Sequence, residues 1–206
     1  MKADVILVPG LWNPTGVLWP LATRLRRGGY SPHAFSYRGR APFEANVERL
    51  ARFVRQTVDG RPAHFIGHSL GGVLVLETLN RHPEIGVASA LLIGSPVRGS
   101  LAGRRFGRER FGRWMMGAAT QCWEAREARW TREAPLGVLA GSIAIGLGRM
   151  VGGQLPGVND GVVCVEETAV EGMAASKLVR ESHSWMPVSA GVARLAETFM
   201  STGRFE

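Results

Sequence analysis

The stretch HFIGHSLGGVLVLETL, His64 to Leu79, constrains the fold more than any other part of the chain. A short apolar run passes through a turn, in which Gly67 and Gly71 flank Ser69, into a second apolar run that stops before Pro83. The first run reads as a buried strand, "AHFIGHS", and the second as a helix over Leu70–Arg81. A buried strand that feeds directly into a buried helix belongs in a sheet covered on both faces. Ser69 has two readings at this turn. It is either a helix cap, or a nucleophile raised above the sheet edge by a strained strand-to-helix turn. Glycines two residues before and after suit the second reading, because side chains there would meet neighbouring backbone.

The rest of the chain repeats the alternation. Strands are expected at "DVILVPG" from Asp4, at "SPHAFSY", at "ASALLIGSP", at "LGVLAGSIAI" and at "KLVRESH". Helical spacing runs over Val17–Arg27, Phe43–Val58 and Val188–Met200. With "AHFIGHS" this makes six strands alternating with helices, which implies parallel pairing through crossovers. At 206 residues, with no internal repeat and no linker, residues 1–206 are expected to form one domain. In such sheets the site lies outside the carboxyl ends of the strands.

That rule sorts the partners a serine needs. A base must activate the hydroxyl at neutral pH. Of the five histidines, His64 begins a strand, His82 ends a helix and His33 opens a strand, all at the opposite sheet edge. His68 sits beside the serine and reads as packing. His183 directly follows "KLVRES", late in the chain, and is the expected base. A carboxylate must orient it. There are three aspartates: Asp4 and Asp59 precede strands, whereas Asp160 lies in "PGVNDGVV", 23 residues before His183. Asn159-Asp160-Gly161 also reads as a simple turn, and Glu166 and Glu167 are the reserve acids. Two backbone donors are expected to hold a developing oxyanion. Leu70 supplies one, and Leu11, in "VPGLWNPTG", supplies the other, with Trp12 as its competitor by one position. A wall of the acyl pocket is the preferred role for Trp12.

"GHSLGG" after a strand, "VPGLW" as an oxyanion loop, "NDGVV" for the acid and "SH" after the last strand occur in the order found in α/β-hydrolases. The chain resembles the lipase/esterase type of that superfamily, and "GHSLGG" and "NDGVV" resemble bacterial lipases. The resemblance implies a three-layer α/β/α hydrolase fold of about six mostly parallel strands in the order 4-3-5-6-7-8, without the first two strands of the full fold. It also implies a capless or small-lid form. The aspartate cluster of calcium-binding lipases is missing, so no metal is expected, and no cofactor is needed.

The segment 98–133 is not explained by these motifs. It holds nine arginines with Trp114, Trp123 and Trp130, and Phe106, Arg110, Phe111, Trp114, Met115 and Ala118 follow helical spacing. Three readings stand: a helix packed on the sheet with its arginines in water, a small lid over the acyl pocket, or a weak contact with an anionic membrane surface. The net charge of +8 is carried almost wholly by arginine, scattered elsewhere and without an aromatic-rich RNA-binding motif, so no nucleic-acid partner is expected. Met1–Gly10 enters a strand-like run, so no secretory signal is expected there. Two cysteines form no disulfide framework, and a cytoplasmic setting follows as the expectation.

The combined expectation is a serine hydrolase that cleaves carboxylic esters of hydrophobic acyl groups, a small acyl ester or lipid being the substrate, through an acyl-enzyme on Ser69, His183 and Asp160. Thioester, amide and acyl-transfer chemistry use the same groups. A non-catalytic, membrane-associated or binding member of the fold is the rival from a different class.

Overall fold

Why the site can form at all follows from where the chain enters its sheet. The computed structural model describes residues 3–11, 15–118, 123–145 and 154–206. Six strands, β1 (Asp4–Val8), β2 (Ser31–Ala34), β3 (Ala63–His68), β4 (Val87–Ile93), β5 (Leu136–Gly141) and β6 (Ala175–Val179), pair in the order β2-β1-β3-β4-β5-β6. Every pairing is parallel. Counting from the third strand of the full α/β-hydrolase fold, this is the order 4-3-5-6-7-8.

Strand residues alternate between two cores, as a period of two requires. Ile6, Val8 and Phe65 join the core under α2 (Phe43–Val58) and α3 (Leu70–Arg81). Val5, Leu7 and Ile66 join the core under α1 (Trp19–Arg27) and the final helix, α6 (Ala190–Thr202). All five residues of β1 and all six of β3 are buried, which is why their sequences are apolar without alternation. The first strand lies inside the sheet, between the edge strand β2 and β3. After β1 the chain crosses to one face, and after β3 to the other. Between the carboxyl ends of β1 and β3 the covering layers therefore part, which is where open α/β sheets place their ligands.

The boundaries Phe43–Val58 and Leu70–Arg81 match the sequence reading at both ends. The segment 98–133 does not follow it. In place of one helix from Phe106 there are two, α4 (Leu101–Arg108) and α5 (Arg110–Met116), broken at Glu109, whose backbone is extended. The break lets α5 fold back until Gly112 touches the backbone carbonyl of Phe106, an approach that leaves no room for a Cβ. Trp123 and Trp130 are buried in the α2/α3 core, and Trp123 Nε1 donates to Met116 Sδ at 3.1 Å.

Arg98, Arg105, Arg110, Arg113 and Arg129 are exposed, as expected of arginines in water, but three others of this segment depart from that expectation. Arg132 donates to the carbonyls of Leu79, His82, Pro83 and Ile85 at 2.7–3.2 Å, satisfying the open carboxyl end of α3. Arg126 donates to Val97 O, and Arg104 to Trp123 O. Phe111 and Trp114 instead face solvent, 64% and 62% exposed. Among the described residues, no helix is long and apolar enough to cross a membrane.

Candidate active site

Ser69 follows β3 and precedes α3 with φ 54° and ψ −128°. Among the described residues, Asp59 is the other non-glycine with positive φ, and it occupies the ordinary left-handed well at the end of α2. Ser69 lies outside that well, a conformation that costs about 1–3 kcal/mol and survives only where its surroundings enforce it. Its side chain makes no capping hydrogen bond to α3. The helix-cap reading of this serine therefore fails. Its amide donates to Ile93 O at 2.9 Å and its carbonyl accepts from Gly72 N at 3.0 Å, so the backbone is clamped while the hydroxyl is left for other work.

The flanking glycines have the tight approaches expected of them. A Cβ on Gly67 would strike the backbone of Gly72, and one on Gly71 would strike the carbonyl oxygens of Val8 and Pro9. The second contact presses the first turn of α3 against the end of β1. Leu70 opens the helix, so its amide has no intrahelical acceptor. Leu11 itself is half-buried, and its side chain lies over Gly39. Trp12 lies outside the described residues.

Asp160 and His183 meet. Asp160 Oδ2 is 2.8 Å from His183 Nδ1, and the His183 amide donates to Asp160 O at 2.9 Å. Both residues are buried. Asp160 Oδ1 accepts from the amides of Val162 and Val163 at 2.9 and 2.7 Å, and Asn159 Oδ1 accepts from Gly161 N. The turn reading and the acid reading of "NDG" thus describe one object: the turn presents the carboxylate and satisfies its second oxygen. A carboxylate can only accept, so Nδ1 of the neutral imidazole carries the hydrogen and Nε2 keeps a lone pair. Glu167, a reserve acid, is occupied elsewhere, accepting from the amides of Leu101 and Cys164 at 2.5 and 2.9 Å. Burial raises its pKa.

The remaining polar groups sit where elimination placed them. His33 and Arg61 pair with Asp4, His64 bonds Ser89, and His82 contacts Glu48 and Glu84. His68 departs from the packing role. Its Nε2 lies 3.1 Å from His183 O, and its ring centroid 4.8 Å from that of His183. No local sequence signal announces this contact, because it joins residues 115 apart. Gly94 is a further residue of this pair's surroundings that the motifs do not mark. With φ 53° it lines the acid–histidine pair, and a Cβ there would stand 2.6 Å from Met186 Cε, 3.1 Å from Asp160 Oδ2 and 3.2 Å from His183 Nδ1. The sequence "LLIGSP" after an apolar strand was its signal.

A cavity of about 630 Å³ lies elsewhere, against Val138 and Ala140 of β5 and Ser176 and Leu178 of β6, and neither Ser69 nor His183 lines it. Cys164 does, but burial pushes its thiol up to about 11, so it stays protonated at neutral pH and makes a poor nucleophile.

A search of curated proteins finds no match to this chain. Solved structures share its fold at low identity. A metagenomic carboxyl esterase is 16% identical, with a TM-score of 0.69 over 97% of this chain and 75% of its own. An extracellular α/β-hydrolase from a Paenibacillus species is 15% identical, with a TM-score of 0.62 over 97% of this chain and 98% of its own. The NocB thioesterase domain, captured in a covalent complex with a fluorophosphonate, is 17% identical, with a TM-score of 0.63 over 98% of this chain and 94% of its own. The model of the alpha/beta hydrolase family matches residues 5–198. That match spans both halves of the sheet together with Ser69, Asp160 and His183, and the chain belongs to the alpha/beta hydrolase family.

Proposed function

We propose that this hydrolase is a serine enzyme that cleaves carboxylic esters of hydrophobic acyl groups through an acyl-enzyme. The observation that carries the reading is the buried Asp160–His183 hydrogen bond at the sheet edge where Ser69 occupies a strained turn. With Nδ1–H held by Asp160, His183 offers the Nε2 lone pair to the Ser69 hydroxyl. Oγ attacks the acyl carbon as the proton passes to Nε2. The tetrahedral oxyanion is held by the Leu70 and Leu11 amides, each such donor contributing about 2.7–4 kcal/mol to barrier lowering. His183 then delivers its proton to the leaving alcohol, and the C–O bond breaks. Water attacks the acyl-enzyme with His183 again as base, which releases the acid and restores Ser69. Trp12 walls the acyl side in this reading, and no cofactor or metal takes part. We assign a cytoplasmic setting, on the sparse cysteines.

The same groups would open thioesters. Paired p-nitrophenyl ester and acyl-thioester substrates of matched chain length test which is preferred; thioester turnover well above ester turnover would overturn the ester assignment and spare the triad. Contact of the catalytic edge with an anionic membrane surface is an added reading. It is favoured by the exposed Phe111 and Trp114, stacked at 6.0 Å, with the Arg40 guanidinium 5.1 Å from the Trp114 ring centroid.

A further inference from the structure

His68 is a buried titratable group that the reaction above leaves without a task. It is 1% exposed, and Nε2 lies 3.1 Å from the carbonyl oxygen of His183. A carbonyl only accepts, so Nε2 carries the hydrogen. Burial, and then the neighbouring His183, push the His68 pKa down to about 3, so the ring holds a single proton and Nδ1 is a bare lone pair. That Nδ1 is buried with no hydrogen-bond partner. An unsatisfied buried acceptor is unfavourable, and a hydrocarbon side chain would fill the space without it. The imidazole is therefore worth its place only through the Nε2–H bond.

We propose that His68 is a positioning residue, whose Nε2–H holds the backbone of His183 at the distance from Ser69 that proton transfer needs. The inference rests on the assignment of Ser69 and His183 made above. His183 is held at three points. Its amide and its Nδ1–H both go to Asp160, which fixes it within the loops that follow β5 and β6. Its carbonyl accepts from His68, the residue next to Ser69 in the chain. In the sheet β3 and β6 are separated by β4 and β5, so this third bond ties the base directly to the serine turn across two strands. An error of about 1 Å in such a relationship costs on the order of 100-fold in rate. The depressed basicity fits the same task. A charged His68 beside His183 would oppose the imidazolium that forms there in each proton transfer, and a neutral one does not.

The test uses the full chain with a p-nitrophenyl ester. His68→Phe keeps bulk and removes the donor; His68→Gln restores an N–H. The expected result is a fall in kcat of about 10- to 100-fold for His68→Phe with KM within about twofold, and partial recovery in His68→Gln. Nitrogen-15 NMR of the wild-type histidine rings supplies a second reading that needs no variant. His68 should appear as the Nε2–H tautomer and should not titrate between pH 5 and 8. A folded His68→Phe enzyme with undiminished kcat overturns the proposal, as does a His68 that titrates near its ordinary value or carries its hydrogen on Nδ1. If wild type shows neither turnover nor fluorophosphonate labelling, the serine-hydrolase reading fails, and the tautomer still decides whether the brace exists.

Discussion

Asp160 Oδ2 lies 2.8 Å from His183 Nδ1, and the same aspartate's carbonyl accepts the His183 amide at 2.9 Å. One residue thus fixes both the ring and the backbone of the other. Asp160→Asn keeps the turn's shape but presents an amide that also stabilises the wrong imidazole tautomer. The expected loss is about 10⁴-fold in kcat at neutral pH, as in other triads, with KM little changed. Steady-state kinetics on a soluble ester check it, with far-UV dichroism as the control for folding.

Gly94→Ala should damage the same pair from the side. The added methyl meets Met186 Cε, Asp160 Oδ2 and His183 Nδ1, and the backbone at φ 53° disfavours any side chain. The variant should lose about 1–3 kcal/mol of stability from backbone strain and show reduced kcat. Denaturant unfolding with parallel kinetics measures both. A variant with wild-type stability and activity would show that the site is looser than this geometry.

His68 also sets a pH dependence of stability. Its folded pKa, about 3, lies below the value near 6.5 of an unfolded histidine. Between those values the unfolded chain binds more protons than the folded one, so stability rises with pH through this window and is lost as pH falls below 6.5. At pH 5 the cost is about 2 kcal/mol, from 1.5 pH units at about 1.36 kcal/mol each. His64 is shifted the same way by burial. The difference between wild type and His68→Gln therefore isolates His68, and the variant's stability should fall less between pH 7 and pH 5.

Contact with a membrane predicts that the protein co-sediments with phosphatidylglycerol vesicles at low salt, and that Phe111→Ser with Trp114→Ser abolishes this. Both side chains stand in solvent, so hydrolysis of a soluble ester should be unchanged. Absence of vesicle binding at low salt, or binding to neutral vesicles that salt does not weaken, would remove this reading.

How far the chain could be read in advance depended on whether each feature was local. The α2 and α3 boundaries were legible because apolar spacing and punctuation coincide, at Gly60 after α2 and at Pro83 after α3. The meeting of Asp160 with His183 was legible because the other two aspartates and three of the other histidines lie at the opposite sheet edge, while His68 stands in the serine turn itself. The kink at Glu109 was not, since it answers to the contact of Gly112 with Phe106 rather than to either residue's preference. Nor was the burial of Trp123 and Trp130, which lie beyond the helical spacing of Phe106 to Ala118 and have no periodicity of their own to place them. Arg132 reads as surface charge in sequence, but its four carbonyl acceptors lie 47 to 53 residues away. His68 fails the same way, since the atom it holds belongs to the far end of the chain.

Ser69 is the nucleophile we propose. The most direct measurement is intact-mass and peptide-level mass spectrometry after treatment with a fluorophosphonate. A single adduct on the peptide bearing Ser69, absent in Ser69→Ala and slowed in Asp160→Asn, is the predicted result. A folded wild-type protein that takes up no label, or takes it up at another residue, would contradict it.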